Sequence, residues 1–191
     1  MPIRHLIPAA LLLTLAAPAS AAETVAVPAF KSIELNGGGK VVIRHGSTQR
    51  VTLISGSTDY TQVRVDTRRG KNDQLTIDAC NRHCPRNYDL RIEIVTPDVS
   101  AVAIHGGGEI VVQPGFSRRS NVAAAVNGGG EIDLRALHSD SVAAAVHGGG
   151  SLLVSTDNLA AAIFGGGDIR YVGDPKKTIA INGGGTVHRI R

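Results

Sequence analysis

Val122-Ala123-Ala124-Ala125-Val126-Asn127-Gly128-Gly129-Gly130-Glu131-Ile132-Asp133-Leu134 is the stretch on which the fold turns. Apolar residues alternate up to three glycines and alternate again beyond them. Five further Gly-Gly-Gly triplets share this setting, beginning at Gly37, Gly106, Gly148, Gly165 and Gly183. Together the triplets hold 18 of the 23 glycines, so the glycine content belongs to a repeat. The last five starts are 22, 20, 17 and 18 residues apart, a period of stacked repeats. An aliphatic residue stands two places before each triplet (Leu35, Ile104, Val126, Val146, Ile163, Ile181). Another stands two places after (Val41, Ile110, Ile132, Leu152, Ile169, Val187). A period of two sends these side chains to one face of a strand, so each copy reads as strand, bend, strand.

Alanine is the best helix former, yet Val122–Val126 and Leu159–Phe164 are too short for a helix and end in glycine. Ala124, Ala144 and Ala161 share one inward register, where a narrow interior admits only small side chains. Strands this short bury nothing alone. Stacked in register about 4.8 Å apart, they build a core from neighbouring copies. The fold class expected is therefore all-β: a right-handed parallel β-helix or β-solenoid with short strands and Gly-Gly-Gly bends. The glycines are expected where φ is positive or where no Cβ fits. The residue before the triplet (Asn36, His105, Asn127, His147, Phe164, Asn182) reads as turn chemistry.

Residues 40–105 break the rhythm, with 69 residues between the first two triplet starts. Val51–Ile54, Val63–Val65, Leu75–Ile77 and Leu90–Val95 are strand candidates separated by turn signals, including Arg69-Gly70-Lys71-Asn72-Asp73. They form either less regular N-terminal coils or a capping sheet. At the other end Arg189 takes a position that is aliphatic at Leu134 and Val154, as a terminal cap would.

Met1–His5 carries Arg4, Leu6–Ala17 is apolar, and Ala19-Ser20-Ala21-Ala22 is a small-residue cleavage site. This is the order of a secretory signal peptide, residues 1–22, too short in its apolar run to span a bilayer. Residues 23–29 then link it to a single domain, 30–191. The net charge of +4 falls to +3 without Arg4. Three Phe, three Tyr and no Trp, with scattered basic residues, argue against nucleic acid. The pairs Arg68-Arg69 and Arg118-Arg119 read as solvated turns. Export makes a disulfide the expectation for Cys80 and Cys84, the only cysteines. A zinc site there would lack a fourth ligand.

Phe30-Lys31-Ser32-Ile33-Glu34-Leu35, Val41-Val42-Ile43-Arg44-His45-Gly46, Gln74-Leu75-Thr76-Ile77, Ile92-Glu93-Ile94-Val95-Thr96-Pro97 and Tyr171-Val172-Gly173-Asp174-Pro175 follow one another in this order. In sequence and order they resemble the head GIN domain of putative auto-transporter adhesins, a family of exported bacterial proteins, over essentially the whole mature chain. The full Gly-Gly-Gly departs from the looser small-residue bend of that family. The resemblance implies a β-helical protein of the periplasm or outer surface, named for adhesion, with no catalytic residues to carry over.

Glycine-rich loops also cradle phosphates, but neither a P-loop nor a strand–GxGxxG–helix unit occurs. Gly165-Gly166-Gly167-Asp168-Ile169 is like a calcium repeat without its nine-residue period. No cofactor or metal is expected. The candidate surface ladder comprises Glu109 and Glu131, on adjacent copies after the triplet, with His105 and His147 flanking Asn127 before it. Carboxylates one step apart repel, raising a pKa or inviting a cation, and paired acids also cleave glycosides. The histidines stand two steps, about 10 Å, apart, too far to share a metal. The expected function is that of a non-enzymatic exported protein contacting envelope polysaccharide or a cell-surface or periplasmic protein. The alternative is a carbohydrate-active enzyme using the surface acids.

Overall fold

The computed structural model describes residues 22–66, 73–81 and 83–191. Residues 1–21 of the proposed signal peptide, Arg68-Arg69 and most of the turn at 69–73 lie outside them. The described residues are all-β, with sixteen strands and no helix. Each glycine triplet sits between two of these strands. The strands leading in are β2 (Ser32–Asn36), β8 (Ala101–Gly106), β10 (Arg119–Gly128), β12 (Ser139–Gly148), the second half of β13 (Ser151–Gly165) and β15 (Lys176–Asn182). Those leading out are β3 (Lys40–His45), β9 (Glu109–Val112), β11 (Glu131–Asp133), the first half of β13, β14 (Asp168–Val172) and β16 (Thr186–Arg189).

From β8 onward the strands leading in pair with one another, parallel and residue for residue: Val126 with Ile104 and Val146, then Val146 with Ile163 and Ile163 with Ile181. Strands leading out do the same through Ile110, Ile132, Leu152, Ile169 and Val187. The two ladders face each other across one apolar core. Leu35, Ile104, Val126, Val146, Ile163, Val41, Ile110, Ile132, Leu152 and Ile169 are all fully buried. Ala124, Ala144 and Ala161 line up inside this core, as their register requires.

The bends continue the ladder. The carbonyl of Gly106 accepts a hydrogen bond from the Gly129 amide at 3.0 Å, and that of Gly128 from the Gly149 amide at 3.0 Å. The three glycines are not equivalent. At Gly128, φ is +128° and an added Cβ would lie 2.6 Å from the Gly106 carbonyl oxygen. At Gly130 it would lie 2.7 Å from the Gly108 oxygen and 2.8 Å from Ile104 Cγ2. At the middle position, Gly129, it would meet nothing within 4 Å. The expectation that every triplet position excludes a side chain is thus corrected: the first and third do, and the middle one opens to solvent.

The 69-residue excursion builds the end of the stack. β6 (Gln74–Asp78) and β7 (Arg91–Thr96) extend the two ladders in parallel beyond β2 and β3. β5 (Gln62–Asp66) and β4 (Arg50–Ser55) then close them antiparallel. β1 (Glu23–Val25), drawn from the stretch read as linker, adds antiparallel to β4. Both readings of this segment therefore hold in part, since coil-like rungs and an antiparallel cap coexist. Because β8 pairs with β2 on the side away from β6, the first triplet still stacks on the second. Cys80 and Cys84 form a disulfide in this end region, with Cα atoms 5.9 Å apart.

At the opposite end the inward pattern fails. Ile179 and Ile181 on β15 are 43% and 44% exposed, because no further rung covers them among the described residues. Arg189 lies in register with Tyr171, whose hydroxyl accepts from Lys177 Nζ at 3.0 Å.

These contacts predict a graded response along one triplet. Gly128→Ala or Gly130→Ala should cost roughly 2–3 kcal/mol through strain and overpacking. At about 2–4 °C per kcal/mol for a domain of this size, the thermal midpoint by circular dichroism should fall by some 4–12 °C. Gly129→Ala should leave it within about 2 °C. Equal losses at all three positions would contradict the assignment of space to each glycine.

Candidate functional site

The strand register places both candidate columns as their spacing requires. After the triplet run Lys40, Glu109, Glu131, Ser151, Asp168 and Thr186, each beside the next. Before it run Asn36, His105, Asn127, His147, Phe164 and Asn182. The glycine edge separates the columns, so Glu109 and Glu131 belong to one sheet and His105 and His147 to the other.

Glu109 and Glu131 are neighbours whose charges are drawn to opposite sides. Lys40 Nζ meets Glu109 Oε1 at 2.7 Å from the preceding rung. On the far side Glu131 Oε2 accepts from Ser151 Oγ at 2.8 Å and from the Arg170 guanidinium at 3.2 Å. Arg170 Nε also reaches Asp168 at 3.2 Å, and His188 Nδ1 lies 3.2 Å from the same carboxylate. The mutual repulsion of the two carboxylates is offset by the cations on either side. Among the described residues no three His, Cys, Asp or Glu side chains converge as a metal cage.

In the other column Asn127 Nδ2 lies 3.3 Å from His105 Nδ1, and His105 Nε2 lies 3.8 Å from Glu34. His147 stacks on Phe164 with ring centroids 4.9 Å apart and planes 8° from parallel. Each histidine is thus occupied by its neighbour in the ladder. Arg118 pairs with both Asp140 and Asp157, and Arg119 with Asp98 at 3.1 Å, so this basic pair is held in surface ion pairs.

Two features escape a reading by spacing. One is the turn after β11, where Arg135 grips Asp133 through both carboxylate oxygens, at 2.6 Å for the shortest contact. Burial pushes the Asp133 carboxyl up, but hydrogen bonds and charge from Arg135 outweigh it and hold its pKa below the ordinary value. The other is the outer surface of the sheet of strands leading in. Alternation predicts polar residues outward, yet Ala123, Ala143 and Ala160 face solvent there. The signal was in the sequence, because three alanines in a row place alanine on both faces of a strand.

A carboxyl whose folded pKa is depressed stabilises the fold in full above its unfolded value, about 3.9, and that stabilisation is lost as pH falls through the lower folded value. Unfolding measured in urea should therefore show stability falling below about pH 4. The fall should be shallower in Arg135→Ala, which also loses up to about 1 kcal/mol at neutral pH as a solvated pair. An identical acid slope in variant and wild type would show that this pair does not carry it.

Known proteins place the fold and the family. A crystal structure of a putative adhesin from Bacteroides fragilis NCTC 9343 matches with a TM-score of 0.57 at 17% identity, covering 88% of this chain and 96% of that one. A putative adhesin from Parabacteroides distasonis ATCC 8503 gives 0.44 at 17% identity, with 89% and 96% covered. One from Parabacteroides merdae ATCC 43184 gives 0.40 at 15%, with 90% and 96% covered. No curated protein matches the chain by sequence. The first of these likenesses extends over nearly the whole of both chains and shows a shared fold. Residues 29–120 and 115–175 match the family described as putative auto-transporter adhesin, head GIN domain, and the chain belongs to that family.

Proposed function

We propose that this chain is an exported, non-enzymatic β-solenoid of right-handed coil, which holds a ladder of polar groups against envelope polysaccharide. Residues 1–22 serve as its secretory leader, and the protein works in the periplasm or at the outer surface. The observation that carries the reading is the column Lys40, Glu109, Glu131, Ser151, Asp168, Thr186, with hydrogen-bonding groups at every rung of one sheet. A polymer presents its own groups at regular intervals, so many weak contacts add in register and avidity replaces a single tight site. Parallel ladders and glycine bends support the solenoid. Membership of a family named for adhesion supports the envelope role.

The alternative, glycoside cleavage by the surface acids, has less behind it. A general acid needs a raised pKa and a partner carboxylate free to act. Glu109 is held by Lys40, and Glu131 by Ser151 and Arg170.

Purified protein should co-sediment with insoluble envelope polysaccharide, and Glu109→Gln with Glu131→Gln should cut the bound fraction several-fold while the fold, by circular dichroism, stays that of wild type. No reducing ends should appear with either wild type or Glu109→Gln/Glu131→Gln. Failure to bind polysaccharide or whole cells would sink the adhesive reading, and turnover abolished by the Gln pair would establish the enzyme. Protein recovered from a periplasmic extract should begin at Ala22 or Glu23, and an intact Met1 there would refute the leader.

A further inference from the structure

The narrow core explains Ala124, Ala144 and Ala161, but it does not explain the alanines on the outside of the same strands. Ala101, Ala123, Ala143, Ala160 and Thr178 stand in register as one outward column. Ala103, Ala125, Ala145, Ala162 and Ala180 stand as the next. Together they floor a shallow groove of about 510 Å³. Alanine is poor in strands, and a solvated outward position ordinarily carries a β-branched or polar residue. The register is unbroken from β8 to β15, so nothing local requires small side chains. Small side chains along a whole sheet face are what another sheet needs in order to approach closely.

We propose that this methyl face is the interface of a back-to-back homodimer, its occupant being the same face of a second copy. Three observations select that occupant. First, self-complementarity: the second copy carries methyl columns at the same rung and residue spacing, so two such faces meet methyl against methyl along every column. Second, charge: the outward residues of the central strands are Ala, Asn, Ser, His and Phe, for example Asn121, Asn127, Ser141, His147, Asn158 and Phe164. An apolar centre with an uncharged polar border and ion pairs only at the rim, such as Arg118 with Asp140, is the anatomy of a protein interface.

Third, size and orientation. Five strands about 4.8 Å apart and some seven residues long give a face of roughly 24 Å by 23 Å, or about 1,100 Å² over both copies, just above the ~1,000 Å² of a specific interface. That predicts a reversible dimer. A two-fold axis along the strands above β12 lays β8 over the other copy's β15 and keeps the two Glu34 side chains at opposite edges of the interface. An axis across the strands would bring Glu34 to Glu34, so the first is favoured. This arrangement leaves both Glu109–Glu131 ladders facing outward and doubles their number, which suits adhesion without depending on it.

The test is sedimentation equilibrium of the purified protein without any polysaccharide, with Ala125→Lys and Ala145→Lys as variants on outward positions. Wild type should dimerise in the micromolar range, and the double variant should weaken association at least tenfold while keeping the wild-type circular dichroism and melting curve. Ala145→Cys, on β12 beside the axis, should form an intermolecular disulfide on mild oxidation, whereas Ala103→Cys, on β8, should not link to its own counterpart. A wild type that stays monomeric at millimolar concentration overturns the proposal. So does a dimer indifferent to both lysines, or equal self-linking at both cysteine positions. Should the double variant lose polysaccharide retention while wild type is monomeric, the face belongs to a glycan and the dimer is refuted. Because association is read without polysaccharide, its failure leaves the adhesive reading standing, and the converse also holds.

Discussion

The backbone carbonyl of the first glycine in each triplet touches the next rung where any Cβ would sit, and this contact governs the rest of the molecule. Gly106 oxygen receives the Gly129 amide, Gly128 oxygen the Gly149 amide and Gly148 oxygen the Gly166 amide. Hydrogen bonding therefore passes around the corner without a break, and one rung cannot slide along the next. A slip of one residue would reverse every side chain between core and solvent. It would also drive a strand residue into the space reserved for hydrogen. With the corner pinned, the flanking strands have no freedom of register, and chemically similar residues necessarily stack into columns.

The core follows from that pinning. Two ladders held together at a sharp edge leave a thin interior, filled near the bend by Ile, Val and Leu and further along by alanine. Each rung contributes the same few side chains, so stability is shared among neighbours and has no single centre. The ends are the exceptions. One is closed by strands that reverse direction, where β4 and β5 turn antiparallel. The other leaves Ile179 and Ile181 open.

On the surface, the same periodicity that brings like charges together also brings their remedy. Glu109 and Glu131 are adjacent because the rungs are in register, and Lys40 and Arg170 reach them for the same reason. The ladder becomes a run of paired charges and hydroxyls, suited to repeated weak contact. The outward alanines make the other face its opposite: flat, small and uncharged. A fold that repeats one backbone shape can thus carry two unrelated surfaces, since only inward positions and bends are dictated by packing.

The sequence by itself determined the strand–bend–strand unit, the residues inside it, the rung neighbours within the regular repeats and the Cys80–Cys84 pairing. All of these rest on local spacing, where a period of two and a triplet of glycines leave few conformations. It also carried the family, through the order of short motifs around the bends. What only the tertiary structure decided was non-local. The excursion between the first two triplets caps one side of β2 and β3 while β8 and β9 take the other, because strand pairing across 69 residues leaves no periodic trace. The middle glycine proved free of contact, since a residue's type does not show which neighbour's carbonyl it meets. The two candidate columns fell on different sheets and the acids gained their cations, because a partner two rungs away, such as Arg170 for Glu131, is brought close by stacking and not by sequence distance.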